Sequence, residues 1–462
     1  MNIITKILGN DNKKLNYSVT NFFKEYNISS IMKESNFYKE KGKCNVLIFK
    51  FLLILVFTGK NFYRFLETEK GEFIFAKDTI YRFLNSIHYN WSKFILILAE
   101  KIINNKFSPL TSSDRKNVLI VDDSTYSRNR SKEVELLSWV RDHTTGMFVK
   151  GYKLLTLGWS DGNSFLPLMF RLLSSSDSKN RLCPQNKNID KRSVGFKNRK
   201  SALTKKTDAM LTLLEEASKY QIPAKYVLFD SWFTFPKIIH QVKELGYEVI
   251  AMVKKMPKVF YEYYGEKINL EKLYSQLSKK RGKAKILTSV TVLVESKGKK
   301  IPIKIVFVRN KSKKRDWLAI ISTDRSLSEE EIVRIYGKRW DIECFFKICK
   351  SYLKLSKEFQ GRSYDSMVAH TAIVFVRYMM LSLESRKNRD LRSIGVLFYK
   401  HCDELQDLKF TEAISILFAI LKEVMLEKLM LTKKEINGFL NFFLQSLPRY
   451  IRDLNTFSYC ES

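Results

Sequence analysis

Two short apolar runs, each closed by aspartate, constrain this chain more than any other feature. Val118-Leu119-Ile120-Val121 runs straight into Asp122-Asp123-Ser124-Thr125. Ala224 to Phe229 runs into Asp230, in the stretch FDSWFTFP. A continuous apolar run of this length suits a strand buried on both faces, which needs further layers above and below it. A carboxylate at the end of such a strand is held rigidly and faces a cleft. An ordinary Asp/Ser turn looks the same in isolation, so the aspartates gain weight only where another carboxylate converges on them. Asp122 and Asp123 point to opposite faces if the strand continues through both. Asp123 followed by a small hydroxyl residue is the first choice, and Asp122 remains the alternative.

The elements between these runs set the topology. Phe148 to Trp159 predicts a second strand, Ser160-Asp161-Gly162-Asn163 a hairpin turn, and Ser164 to Phe170 a third strand. A helix follows over Asp208–Tyr220, then the strand ending at Asp230, a helix over Pro236–Leu245 and a strand over Tyr247–Val253. Three antiparallel strands, the first ending in Asp, then helix and strand, is the ribonuclease-H-like order. The fold class expected is therefore α/β, a ribonuclease-H-like core over residues 109–254 and 324–360. Ile286–Val294 and Ile301–Val308 alternate like an antiparallel pair around Gly298, and Trp317–Ser322 adds a strand. Residues 255–323 thus read as a β-rich insertion. Residues 1–108 and 361–462 read as all-helical flanks. His143, ahead of the second strand, reads as a polar loop residue.

The third carboxylate comes from a predicted helix over Ser328–Tyr352, opened by a Ser328/Glu331 capping box. It carries Tyr336, Arg339, Glu343 and Lys350, spaced Y-x2-R-x3-E-x6-K. At about 100° per residue these four and Lys347 share one arc, while Asp341 lies on the other side. Ile332, Ile335, Trp340, Ile342, Phe345, Phe346 and Ile348 cover much of the remaining circumference, so the helix is expected to be largely buried. Buried charges need partners. A carboxylate flanked by cations suits a place where a metal ion meets a phosphate backbone.

This spacing, with its two upstream aspartates, resembles the signature of the cut-and-paste DDE transposases of insertion-sequence family four. The resemblance covers about residues 40–385. It implies that Asp123, Asp230 and Glu343 are the catalytic, metal-binding carboxylates, holding two Mg2+ ions (Mn2+ may substitute). It implies that Tyr336, Arg339, Lys347 and Lys350 hold phosphates. It also implies that Trp317, in the insertion, stacks on a base flipped out of the DNA end. Transposition would proceed by nicking at terminal inverted repeats, a hairpin, its opening and strand transfer into target DNA, in a homodimeric complex in the bacterial cytoplasm at the nucleoid. A non-catalytic DNA-binding derivative, or a ribonuclease-H-like nuclease that does not transpose, are the rival readings.

Composition agrees with a polyanionic partner. Lys and Arg number 81 against 48 Asp and Glu, a net charge of +33. Within a predicted loop over residues 174–207, the stretch Lys179–Lys206 holds ten of these cations and one acid, Asp190. The resemblance implies that the N-terminal helical region (Ser18–Met32, Asn45–Phe57, Asn61–Glu67, Asp78–Asn85) binds DNA, with Trp91–Ile103 a core helix behind it, and that the C-terminal helices dimerise or contact DNA. The six cysteines show no C-x2-C pair, which argues against a zinc site. The apolar run Val46–Thr58 is too short to span a bilayer and contains Lys50, so no membrane is expected.

Overall fold

The computed structural model describes residues 13–39, 41–68, 75–112, 114–142, 145–280, 282, 284–310 and 316–387, with short pieces at 394, 397–398, 421, 424–426 and 431–446. His143, residues 3–8 of the N-terminal helical flank, and most of residues 390–404 and 411–428 of the C-terminal one, each read as helical from sequence, lie outside the described residues.

Six helices come first: α1 Lys13–Glu25, α2 Ile28–Glu34, α3 Asn45–Ile54, α4 Phe62–Thr68, α5 Lys77–Leu84 and α6 Trp91–Ile102. The single helix expected over Ser18–Met32 is two, because Asn27 takes a left-handed conformation (φ 47°) and its side chain accepts the Ser30 N–H. Helix α3 is apolar on every side and lies in the core. It tightens into a 3₁₀ turn and stops at Gly59, φ 71°.

Strands β1 Val118–Ser127, β2 Ser138–Arg141, β3 Phe148–Ser160 and β4 Phe165–Leu173 follow. Then come α7 Val194–Ala202, α8 Lys206–Ala217, β5 Tyr226–Phe229, α9 Pro236–Glu244 and β6 Glu248–Val253. Among the described residues the strands form one eleven-stranded mixed sheet. Strand β3 lies antiparallel to both β1 and β4, while β1, β5 and β6 are mutually parallel. The remaining strands are β7 Phe260–Tyr263, β8 Glu266–Asn269, β9 Ile286–Ser296, β10 Lys299–Arg309 and β11 Trp317–Ser322, with α10 Leu270–Gln276 between β8 and β9. They extend the same sheet, since β11 pairs antiparallel with β6.

Three expectations change here. Strand β1 continues six residues beyond Val121, so Asp122 and Asp123 stand inside the strand rather than at its end. The basic loop over 174–207 contains α7, whose Arg199 is buried and bridges Glu135 and Asp365 at 2.6 Å each. The irregular basic stretch over 254–285 contains β7, β8 and α10.

Where β1 and β3 approach, Gly151 faces Ser127, and a Cβ there would meet the backbone oxygen of Tyr126 at 2.1 Å. Backbone in a paired strand has nowhere to retreat. Gly151→Ala is therefore expected to cost about 1–3 kcal/mol, measured as a lower denaturant midpoint. An unchanged midpoint would mean that the β1–β3 pair relaxes freely.

Helices α11 Glu329–Gly337 and α12 Trp340–Ser351 lead to α13 Tyr364–Lys387, which is packed against α6 and β4. Within α13, Tyr364–Arg386 is long and apolar enough to cross a bilayer, and its most apolar 18-residue window is wholly buried in the protein. Residues 1–398 form one compact unit and residues 399–462 a second. Described in the second are α14 Lys433–Ser446 and a small apolar cluster of Met425, Leu431, Ile436 and Leu440.

Candidate active site

The predicted helix over Ser328–Tyr352 is broken. Helix α11 ends at Gly337 and α12 begins at Trp340. At the break Lys338, Arg339 and Asp341 donate their N–H groups to Ile335, Tyr336 and Lys338, three residues back, a tighter turn than the α-helix makes. Glycine weakens the helix there. The Lys338 ammonium then pins the turn by donating to the carbonyls of Lys116 (2.6 Å) and Asp161 (3.2 Å). The capping box at Ser328 and Glu331 is present. A single helical wheel does not hold across the break, and Trp340 is 66% exposed rather than buried.

Arg339 leads into α12 and aims at β1. Its Nη1 donates to Asp122 Oδ2 at 2.5 Å and to Glu343 Oε1 at 3.4 Å. In the last turn of α12, Lys350 Nζ donates to Ser124 Oγ at 2.6 Å. Asp122 and Ser124 are two residues apart, so they share the face of β1 that α12 covers. Asp123 turns the other way. Lys206, at the start of α8, reaches it at 2.5 Å, and Lys153 of β3 at 3.5 Å. Asp230 follows β5 directly and accepts the Trp232 N–H at 3.0 Å.

These groups line one cleft of about 390 Å³. Its walls are Asp122, Asp123, Ser124 and Thr125 of β1, Asp142, Lys153, Asp230, Trp232, Arg339, Glu343 and Lys350. Of the residues expected from sequence, the structure brings together Asp122, Asp123, Asp230, Arg339, Glu343 and Lys350. Tyr336 stands behind them, hydrogen-bonded to Arg339; burial pushes its phenol up to about 12, so it stays protonated and able to donate. Lys347 is exposed and is absent from the cleft wall. Trp317 is also absent from it. Its ring stacks on Tyr274 (4.5 Å), meets Phe307 edge-on (5.1 Å) and lies under the Lys255 ammonium (4.1 Å).

Asp142, Lys153, Lys206 and Trp232 are cleft or near-cleft groups that sequence reasoning missed. Lys206 sat unremarked in the basic run, and Trp232 in FDSWFTFP. Trp232 is half exposed, with the Lys254 ammonium 4.4 Å from its ring centre.

Two of the carboxylates, Asp122 and Asp230, are raised in proton affinity, chiefly by burial. Burial pushes Asp122 up to about 7; Arg339 opposes this, and the charges of Asp230, Glu343 and Asp123 add to it. Burial also raises Asp230. Burial lowers Lys350, and the Asp122 carboxylate holds Arg339 above its ordinary value against the effect of its own burial. Among the described residues no three carboxylate, imidazole or thiol groups stand close enough to hold a metal ion as they are. The Arg339 guanidinium lies between Asp122 and Glu343 in that position. The donor set of Asp122, Asp230 and Glu343 still fits a hard divalent cation, because it is all carboxylate oxygen.

Comparison with known proteins agrees with this geometry. A protein of Sinorhizobium fredii named "Putative transposase y4zB" is 28% identical over 105 residues, 22% of this chain and 29% of its own length. The chain thus spans under a third of that relative. The family described as DDE superfamily endonuclease matches residues 53–315, more than half of the chain, and takes in Asp122, Asp123 and Asp230. Glu343 lies beyond the matched segment. On that match the chain belongs to the DDE superfamily of endonucleases.

Proposed function

We propose that this protein is a DNA transposase of an insertion sequence, cleaving DNA strands with divalent metal and joining them to a target. The observation that carries the reading is the convergence of β1, the end of β5 and α12 on one cleft that holds carboxylates and cations together. The order β4-β3-β1-β5-β6, antiparallel then parallel, supports a ribonuclease-H-like core. The relative's printed name supports transposition in particular.

The metal ligands proposed are Asp122, Asp230 and Glu343. The sequence favoured Asp123, but Asp122 shares the face of β1 that meets Arg339 and Lys350, and it feels the charges of both Asp230 and Glu343. Bound there, divalent ions, Mg2+ in the first instance, polarise the scissile phosphodiester and stabilise the leaving 3′ oxygen. The chain's own groups do the rest. Arg339 turns from Asp122 to a phosphate oxygen, Lys350 receives the neighbouring oxygen, and the Tyr336 phenol donates to Arg339 or to phosphate. Lys206 and Lys153 neutralise Asp123, so that the cleft does not repel a polyanion. The N-terminal helices would recognise the element's ends, and a dimer would hold two of them. A hairpin on the cleaved end is the finer expectation.

The test is a supercoiled plasmid carrying the DNA that flanks the gene, incubated with the full chain. Mg2+-dependent cuts at the element's ends, abolished by EDTA, are the expected result. A hairpin would run as a double-length strand on a denaturing gel. Absence of metal-dependent cutting together with absence of DNA binding would sink the reading.

A further inference from the structure

A wider cavity than the cleft lies apart from the carboxylates. It is a groove of about 980 Å³ between three segments: Asn61, Tyr63 and Tyr81 on one wall, residues 127–134 as the floor, and residues 356–362 opposite. Strand β1 joins it to the cleft, because Asp122–Thr125 line the cleft and Ser127 lines the groove.

The groove is built and rigid. Arg128 donates to the carbonyls of Ser356 (3.1 Å), Phe359 (3.3 Å) and Gly361 (3.3 Å), so one guanidinium ties the floor to the far wall. The Glu135 N–H donates to the Arg362 carbonyl at 2.9 Å, and the Phe62 N–H to that of Glu358 at 3.4 Å. Lys354 and Ser356 hold left-handed conformations, φ 55° and 67°, which side chains other than glycine adopt at a cost. That strain persists because the surrounding bonds over-determine the loop.

Its chemistry points to an anion. The lining carries five cations and two carboxylates. Both carboxylates are already answered: Glu358 is buried against Arg377, and Glu133 pairs with Arg362 at 2.9 Å. Arg128 is used in the wall. Arg130, Lys132 and Lys357 are exposed, and the 54%-exposed Tyr63 ring stands on the opposite wall. Cations, hydroxyls and an aromatic ring around an open groove suit the backbone of a nucleic-acid strand.

We infer that this groove holds the DNA duplex on one side of the cut, with Arg130, Lys132 and Lys357 on its phosphates. The inference rests on the transposase reading and adds a distance to it. Five residues of strand separate Asp122 from Ser127, about 16 Å at roughly 3.3 Å per residue. With one phosphate per 3.4 Å along each strand, the near edge of the groove lies about five base pairs from the scissile phosphate.

The test uses the full chain and duplexes that carry the cut site mapped with the native protein, in Ca2+ at 50–200 mM salt. Arg130→Ala/Lys132→Ala and Lys357→Ala should lower the salt slope of binding by about 0.9 for each cation removed. The rate at saturating DNA should stay unchanged while half-saturation rises. Shortening the duplex on one side from about ten to about three base pairs beyond the cut should weaken the native protein and not weaken the double variant further. DNA should also protect Lys132 and Lys357 from acetylation. If the native protein cuts DNA but the variants keep its salt slope and its response to shortening, the groove inference alone fails. If the native protein neither binds nor cuts DNA, the function itself is wrong.

Discussion

Alanine at Asp230 or at Glu343 is expected to lower Mg2+-dependent DNA cleavage about a thousandfold or more, while DNA binding in Ca2+ stays within a few-fold of native. Losing a ligand forfeits several kcal/mol of transition-state charge stabilisation, and about 1.4 kcal/mol is tenfold in rate. The same pair of measurements separates the two neighbours on β1. Asp122 faces Arg339 and the Glu343 side, so Asp122→Ala should be as inactive as Glu343→Ala. Asp123 faces Lys206 and Lys153, so Asp123→Ala should leave two uncompensated lysines and a partial loss, about tenfold to a hundredfold, the size usual for groups that support metal ligands. An inactive Asp123→Ala beside an active Asp122→Ala would return the first ligand to Asp123. Native cleavage by Glu343→Ala would remove the glutamate from the site altogether.

The largest effect on stability is expected at Arg377, far from this chemistry in role. It lies on α13 with no exposure, and its guanidinium meets Glu358, also fully buried, at 2.7 and 2.9 Å. Its Nε donates to the Leu53 carbonyl at 2.9 Å, at the end of α3. His370 Nε2 lies 3.5 Å from the same carboxylate. Removing one partner of a buried pair strands the other charge in a medium that cannot solvate it, at a cost of about 3–5 kcal/mol. Arg377→Ala should lose about that much in chemical denaturation. Arg377→Met with Glu358→Leu, which removes both charges and keeps the volume, should recover much of it. Equal losses in the single and double variants would show that packing, not charge, is what the pair contributes. Because Glu358 belongs to the loop that walls the basic groove, the single variant should also loosen that groove.

Much of the cleft's wall was legible in the chain. The apolar runs at Val118 and Tyr226 became neighbouring parallel strands, because a strand buried on both faces has no polar alternative. The Y-x2-R-x3-E-x6-K spacing placed Arg339, Glu343 and Lys350 on one cleft, since residues three, four and seven apart share a helix face even where the helix is broken just upstream. The hairpin of β9 and β10 followed from alternation and Gly298.

Tertiary structure decided the rest. Which of two adjacent aspartates faces Glu343 depends on the register and parity of β1, fixed by its ten-residue pairing with β3, and local sequence cannot set that. Lys206 and Lys153 reach Asp123 across 83 and 30 residues of chain, and no spacing rule connects positions that distant. The break after Gly337 is held by the Lys338 ammonium on carbonyls from two other segments. Trp317 looked like a free stacking platform in its strand until α10 brought Tyr274 against it. The sequence by itself determined the residue types, their periodicity and a net charge of +33 that suits a polyanionic partner. The fold determined which charges meet, because burial and neighbours, not identity, set what a carboxylate does.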